Sequence, residues 1–234
     1  MSVEEEIIIR ARGIVLDLGC GKGAWIKKLT LRKPTIYPIG LDININSLRE
    51  LNITDKVYDL IYSDISTIPI RDDSVNSILV IGVLHEVSLD SVDMVLMEVK
   101  RVLRVNGEVF FIDKVRKEDF PINEALPIYT ENLYLKVLRL VKGIKALGVK
   151  NIDKLLSLFR KFSFKISMYK EVKFGEKISG DVFLKMWGRE TKNLAKTLVG
   201  IPRFEVERDI ERIENFAKQF GYGPTNAVFL ILKK

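Results

Sequence analysis

The residues of this chain best equipped for chemistry are three aspartates, a cluster of glycines and one histidine. Gly19-Cys20-Gly21-Lys22-Gly23 follows the apolar run Gly13-Ile14-Val15-Leu16-Asp17-Leu18 and precedes a segment with helical spacing at Trp25, Ile26 and Leu29. A strand that breaks into a glycine turn and then a helix suits a nucleotide-like ligand. Glycines admit the ligand close to the backbone, and the helix start offers free N–H groups. Gly19 to Ala24 even satisfies the relaxed dinucleotide pattern G-x-G-x-x-A. Two carboxylates argue against a pyrophosphate there. Asp17, two residues before the first glycine, can hold a cationic amine but would repel a pyrophosphate. Asp42 stands 21 residues after Gly21 at the end of the next apolar run, where an acid accepts hydrogen bonds from both hydroxyls of a ribose.

These residues need a parallel sheet to position them. Apolar runs at 13–18, 36–41, 58–63, 77–81 and 109–112 read as five strands, with helical spacing over 25–33 and 90–103. Asn44 and Asn46-Ser47 are caps for a short helix to Leu51, and Asn106-Gly107 makes a turn. Strands alternating with helices predict a doubly wound α/β fold with right-handed crossovers. The second half predicts helices over 132–147, 152–162 and 205–220, strand-like runs at 164–172 and 182–187, and a closing apolar run at 226–232.

Four motifs in register carry a resemblance. Val15-Leu16-Asp17-Leu18-Gly19-Cys20-Gly21-Lys22-Gly23, then Gly40-Leu41-Asp42-Ile43-Asn44, then Ser63-Asp64-Ile65 with Pro69 and Asp72-Asp73-Ser74, and finally Leu103-Arg104-Val105-Asn106-Gly107 resemble class I S-adenosylmethionine-dependent methyltransferases. The likeness covers about residues 13–113. It departs from the family's pattern at Val75-Asn76 and at Val105-Asn106. The resemblance implies a Rossmann-like, mostly parallel seven-stranded sheet with a helical insertion after strand five. It implies S-adenosylmethionine as cofactor, with Gly19, Cys20 and Gly21 passing beneath it and Asp17 near its amino group. Asp42 would take the ribose, Ile43 the adenine face, Asp64 the adenine amine beside Ile65, and Gly82 would lie at the rim.

His85, the one histidine, follows the fourth strand in Gly82-Val83-Leu84-His85-Glu86, on the edge where such sheets bind ligands. It is the candidate general base, against a packing or hydrogen-bonding role. No Cys/His/acid cluster shows metal-ligand spacing, so the sequence implies no metal. With about 13 residues before the first strand, any cover over the acceptor is expected from the insertion.

The net charge of +7 is uneven: residues 1–113 sum to −4 and residues 114–234 to +11. The division expected is therefore 1–113 as the cofactor-binding α/β core and 114–234 as a basic helical insertion or lid plus the last strands. Segment 132–177 sums to +9 and carries Tyr134, Phe159, Phe162, Phe164, Tyr169 and Phe174. That pattern fits a lid, an RNA-binding surface or an anionic membrane surface. One cysteine, an acidic start and no long apolar run lead to the expectation of a cytoplasmic protein. The reading is a methyltransferase acting on a small molecule or RNA. Its rivals are a non-catalytic RNA-binding protein that keeps the fold and an NAD(P)-dependent oxidoreductase, the latter lacking a Tyr-x-x-x-Lys pair.

Overall fold

The computed structural model describes residues 1–53, 57–117 and 121–234. Seven strands, β1 (Ile14–Leu18), β2 (Tyr37–Asp42), β3 (Asp59–Tyr62), β4 (Val75–Ile81), β5 (Leu103–Lys114), β6 (Lys165–Phe174) and β7 (Thr225–Lys233), form one sheet in the order β3-β2-β1-β4-β5-β7-β6. Strands β1 to β5 pair in parallel, and β7 runs antiparallel to both β5 and β6. The order reverses at β1 and β4, and there the C-terminal strand ends open a crevice for ligands.

The nine α-helices of the described residues are α1 (Val3–Arg10), α2 (Ala24–Arg32), α3 (Ile45–Arg49), α4 (Val92–Val102), α5 (Ile122–Lys142), α6 (Ile152–Lys161), α7 (Gly180–Met186), α8 (Arg189–Ala195) and α9 (Gly200–Phe220), and a short 3-10 helix spans Leu84–Glu86. One face of the sheet packs Leu16, Ile78, Phe111 and Leu230 with Val95, Leu96, Val99 and Phe159, while the other packs Val15, Leu79, Phe110 and Phe229 with Ile7 and Leu29. Strands buried on both faces explain why β1, β4 and β7 read as continuous apolar runs. A third cluster ties α5 to α7 and α9 through Leu126, Leu133, Val137, Phe183, Val206 and Ile213.

Several expected boundaries move. The helix expected over 132–147 is α5, which begins ten residues earlier and ends at Lys142. Gly143 stops it: its φ is 71° and its N–H reaches the Arg139 carbonyl, closing the helix in the left-handed conformation glycine accepts. The strand-like run 182–187 is largely the helix α7. Ser179 caps it by accepting from the Val182 N–H, and Phe183 stacks on both Trp187 and Tyr222 at 5.2 and 4.4 Å. That local cap and those contacts outweigh the strand preference of Val182 and Phe183. Among the described residues, no helix is long and apolar enough to cross a membrane.

Candidate functional site

The C-terminal ends of β1, β2 and β4 converge on the glycine turn. The N–H groups of Gly19 and Cys20 donate to the Leu41 carbonyl at 2.8 and 3.1 Å, clamping the turn to the end of β2. Asp42 completes the clamp: its Oδ2 accepts from the Gly21 N–H at 2.7 Å and its Oδ1 from the Asn44 N–H at 2.7 Å. Each of its oxygens keeps a second lone pair for a ligand hydroxyl.

Gly19 and Gly21 have φ values of 65° and 53°, a region that L side chains rarely adopt. Their surroundings differ. A Cβ on Gly19 would lie 2.5 Å from Val83 Cγ2, whereas one on Gly21 would meet nothing within 4 Å and would project into open space above the turn. We therefore expect Gly19→Ala to lower stability by about 1–3 kcal/mol. Gly21→Ala should cost about 1 kcal/mol of stability yet weaken ligand binding more, as urea unfolding alongside ligand titration will show.

Asp17 is the least satisfied group of the site. It is 3% exposed, and its Oδ2 has no hydrogen-bond partner. Burial, and then the nearby Asp42 carboxylate, push its carboxyl up to about 8. Cys20 is buried, its Sγ fills the space beside Gly40, and burial pushes its thiol up to about 12, so it is a packing group. Ile43 is 62% exposed beside Asp42. Asp64 Oδ1 accepts from the Ser66 N–H at 2.7 Å, fixing the turn after β3 with Ile65 partly buried against the core. Gly82 has a φ of 68° and donates to the Ile112 carbonyl at 2.8 Å, joining the ends of β4 and β5.

A second group of residues, largely unmarked in the sequence reading, lies just beyond Val83. His85 is 3% exposed and its Nδ1 is 2.6 Å from Asp113 Oδ1, while its backbone N–H donates to Asp113 Oδ2 at 3.1 Å. Its Nε2 faces Glu131 Oε2 at 3.4 Å and Glu86 Oε1 at 3.8 Å, without a hydrogen bond. Lys114 Nζ donates to Glu131 Oε2 at 2.8 Å, and the other oxygen of Glu131 has no partner. Burial opposes a charge on His85 most strongly, but the hydrogen bond to Asp113 and the charges of Asp113 and Glu131 prevail and lift it to about 10. Burial acts on Glu131 in the opposite sense, and His85 and Lys114 together hold it down at about 2. The two carboxylates thus favour the charged form of His85 over the neutral imidazole that a general base requires.

His85, Glu86 and Glu131 bring potential ligand atoms within 4.8 Å of one another, a cluster that sequence spacing hides because Glu131 comes from α5. Glu86 and Glu131 also line a cavity of about 330 Å³ with Tyr134, Trp187, Arg189 and Glu190. Helices α5 and α8 therefore bring Glu131 and Glu190 to the same depression as the exposed Glu86. Much of its positive charge is paired elsewhere: Lys136 with Asp209, Lys161 with Asp93, Lys170 with Glu6 and Lys173 with Glu124. Phe159 and Phe164, expected as stacking surfaces, are 2% and 4% exposed in the core. Asp113 was legible in principle, since it ends a parallel strand at the same edge as Asp17 and Asp42.

The strand order and directions are those of the Rossmann-like methyltransferase fold. Residues 16–111 match the family described as a methyltransferase domain, so the resemblance carried by the four motifs holds for the α/β core. A stretch of 100 residues is 30% identical to the malonyl-[acyl-carrier protein] O-methyltransferase of Legionella pneumophila, covering 42% of this chain and 34% of that protein. The match thus spans about a third of the curated relative's length. The fold is similar over 100% of the chain to 98% of a putative methyltransferase from Bacillus halodurans, at 12% identity and a TM-score of 0.64. It is similar over 99% of the chain to 93% of an S-adenosylmethionine-dependent methyltransferase from Archaeoglobus fulgidus, at 14% identity and a TM-score of 0.56.

Proposed function

We propose that this protein is an S-adenosylmethionine-dependent methyltransferase whose acceptor is a small molecule. The observation that carries the reading is Asp17, a buried carboxylate with an unpartnered oxygen at the end of β1, beside a turn whose Gly21 leaves open space. A ligand with a cationic amine would satisfy that oxygen, and the cofactor's methionyl end carries one. Asp42 would accept from the ribose hydroxyls, Ile43 would cover the adenine and Asp64 would accept its amine, with Gly19, Cys20, Ile65 and Gly82 shaping the walls. Bound there, the cofactor supplies an electrophilic methyl carbon on a sulfonium leaving group.

The remaining work of the chain is to place the acceptor and keep water out. Residues 1–113 hold the cofactor, and residues 114–234 supply the cavity against His85 and Glu86. A cavity of about 330 Å³ favours a small acceptor over a polymer. In its charged state His85 is a positioning group for Glu131 and the acceptor. Glu86, at the cavity and free of any hydrogen bond, is the better proton acceptor. The Legionella relative is named for O-methylation of a malonyl group, whose free end is a carboxylate. Carried to this chain, that acceptor would face Glu86, Glu131 and Glu190 against Arg189 as the one cation of the lining.

Calorimetric titration with S-adenosylhomocysteine, and with NAD⁺ in parallel, tests the reading. We expect one-to-one binding of the first and none of the second. Asp42→Ala should weaken it by about tenfold to a hundredfold, the worth of one or two hydrogen bonds to a charged group. Binding of NAD⁺ alone would move the protein to the oxidoreductases, and unchanged affinity in Asp42→Ala would sink the ribose assignment.

A further inference from the structure

Two buried polar atoms behind the wall of this cavity have no hydrogen-bond partner. His85 Nε2 makes no hydrogen bond, on a side chain 3% exposed, and it lies 3.4 Å from Glu131 Oε2 and 3.8 Å from Glu86 Oε1 of the cavity lining. Glu131 Oε1 is an acceptor with no donor. Orphaned buried groups of this kind are costly unless a ligand or water completes them. By type, a ligand hydroxyl can accept from the charged imidazole at Nε2 and donate to Oε1. The other carboxylates of the lining are Glu86 and Glu190, and Arg189 is its one basic side chain. Tyr134 donates to Glu190 Oε1 at 3.2 Å and helps to fix it. Lys114 and His85 neutralise Glu131 and Asp113, so the unneutralised charge of the chamber is negative. Tyr134, Met186 and Trp187 give the walls an apolar component. Trp187 offers its edge, because Phe183 stacks on it and Lys192 Nζ lies 5.2 Å from its ring centre.

From this arrangement we propose that the cavity binds a small hydroxyl-bearing amine as its ammonium ion, and that the amine nitrogen is the methyl acceptor. The hydroxyl sits between His85 and Glu131, and the ammonium lies toward Glu86 and Glu190. The inference rests on the methyl-transfer reading above and names its substrate class. The ammonium gives one proton to Glu86, and the freed nitrogen lone pair forms the N–C bond. The C–S pair returns to sulfur, and the methylated product leaves as an ammonium ion of the same charge. A divalent cation suits the site less well, because Lys114 already bonds Glu131 and the charged His85 would repel it.

Three probes of similar shape separate the contributions: 2-amino-1-phenylethanol, 2-phenylethylamine and 3-phenylpropionate, each titrated calorimetrically into the full chain saturated with S-adenosylhomocysteine. We expect the amino alcohol to bind at least about tenfold more tightly than the carboxylate, since like charges across a site are strongly disfavoured. It should exceed the plain amine by about threefold to tenfold, the worth of one hydrogen bond. Glu190→Gln should weaken the amino alcohol by about threefold to tenfold, while Glu207→Gln, on the outer part of α9, leaves it unchanged. Equal or tighter binding of the carboxylate overturns the inference. So does binding of none of the three when S-adenosylhomocysteine binds, or binding of Zn²⁺ or Mn²⁺ in place of the amine. Failure of S-adenosylhomocysteine itself strikes the methyl-transfer reading instead.

Discussion

Asp17→Asn is expected to raise the stability of the ligand-free protein and to weaken its affinity for S-adenosylhomocysteine by a hundredfold or more. The two effects have one origin. Asp17 is 3% exposed with an unpartnered oxygen, and burial followed by the charge of Asp42 lifts its carboxyl to about 8. In the unfolded chain an aspartate titrates near ~3.9. Between those values the folded protein keeps a proton that the unfolded chain has released, so this residue makes stability fall as pH rises from about 4 to about 8. Above that window the loss is complete, at about a few kcal/mol. Asparagine carries no such penalty, and its gain should therefore be larger at pH 8.5 than at pH 5. A cationic amine bound at Asp17 reverses the balance, because it stabilises the ionised carboxylate. Near neutral pH, S-adenosylhomocysteine should accordingly release a proton on binding, visible as a buffer-dependent calorimetric enthalpy. If Asp17→Asn unfolds more easily at every pH, the carboxylate has a structural partner and the assignment is wrong.

The same feature shows why part of the site was readable in the sequence. Asp17, Gly19, Gly21 and Asp42 act through their place on short strands and turns, and each strand announces itself as an apolar run ending in a breaker. Five strands were legible as runs, and the count of seven followed from the resemblance, whereas the order β3-β2-β1-β4-β5-β7-β6 came only with the structure. The second half was less legible. Its charge of +11 fitted a lid, an RNA-binding surface or an anionic membrane surface alike, because charge counted along a chain does not say which side of a helix it faces. Lys136, Lys161, Lys170 and Lys173 turn to acids elsewhere, while Glu131 and Glu190 point into the cavity. Glu131 meets His85 and Lys114 only because α5 brings it to them from a distant part of the chain, a tertiary contact without a local signal. Residues 182–187 misled for a related reason: Val182 and Phe183 favour a strand, but the Ser179 cap and the Phe183 stack decide for a helix.

Removing Asp113 should be the most damaging single change in the second group. Asp113 is 2% exposed and accepts from three donors: His85 Nδ1 at 2.6 Å, the His85 N–H at 3.1 Å and the Lys114 N–H at 2.8 Å. Asp113→Ala leaves a buried imidazolium beside one remaining partner and should cost about 3–5 kcal/mol in urea unfolding. Asp113→Asn keeps an acceptor but not the charge, so the smaller part of that loss is expected. The pH dependence distinguishes this pair from ordinary packing. Free histidine titrates near ~6.5, and the folded value is about 10. The stability contributed by the pair is complete below the lower value and is lost as pH rises through the higher one. This chain has one histidine, so its ring protons give an isolated NMR signal. In the wild-type protein that signal should stay in its charged position from pH 6 to pH 8.5, and in Asp113→Asn it should begin to titrate within that range. A wild-type midpoint near 6.5 would show an unpaired imidazole and return His85 to the role of general base. A flat profile would leave Glu86 as the proton acceptor, with His85 fixed by Asp113 to hold Glu131 in place.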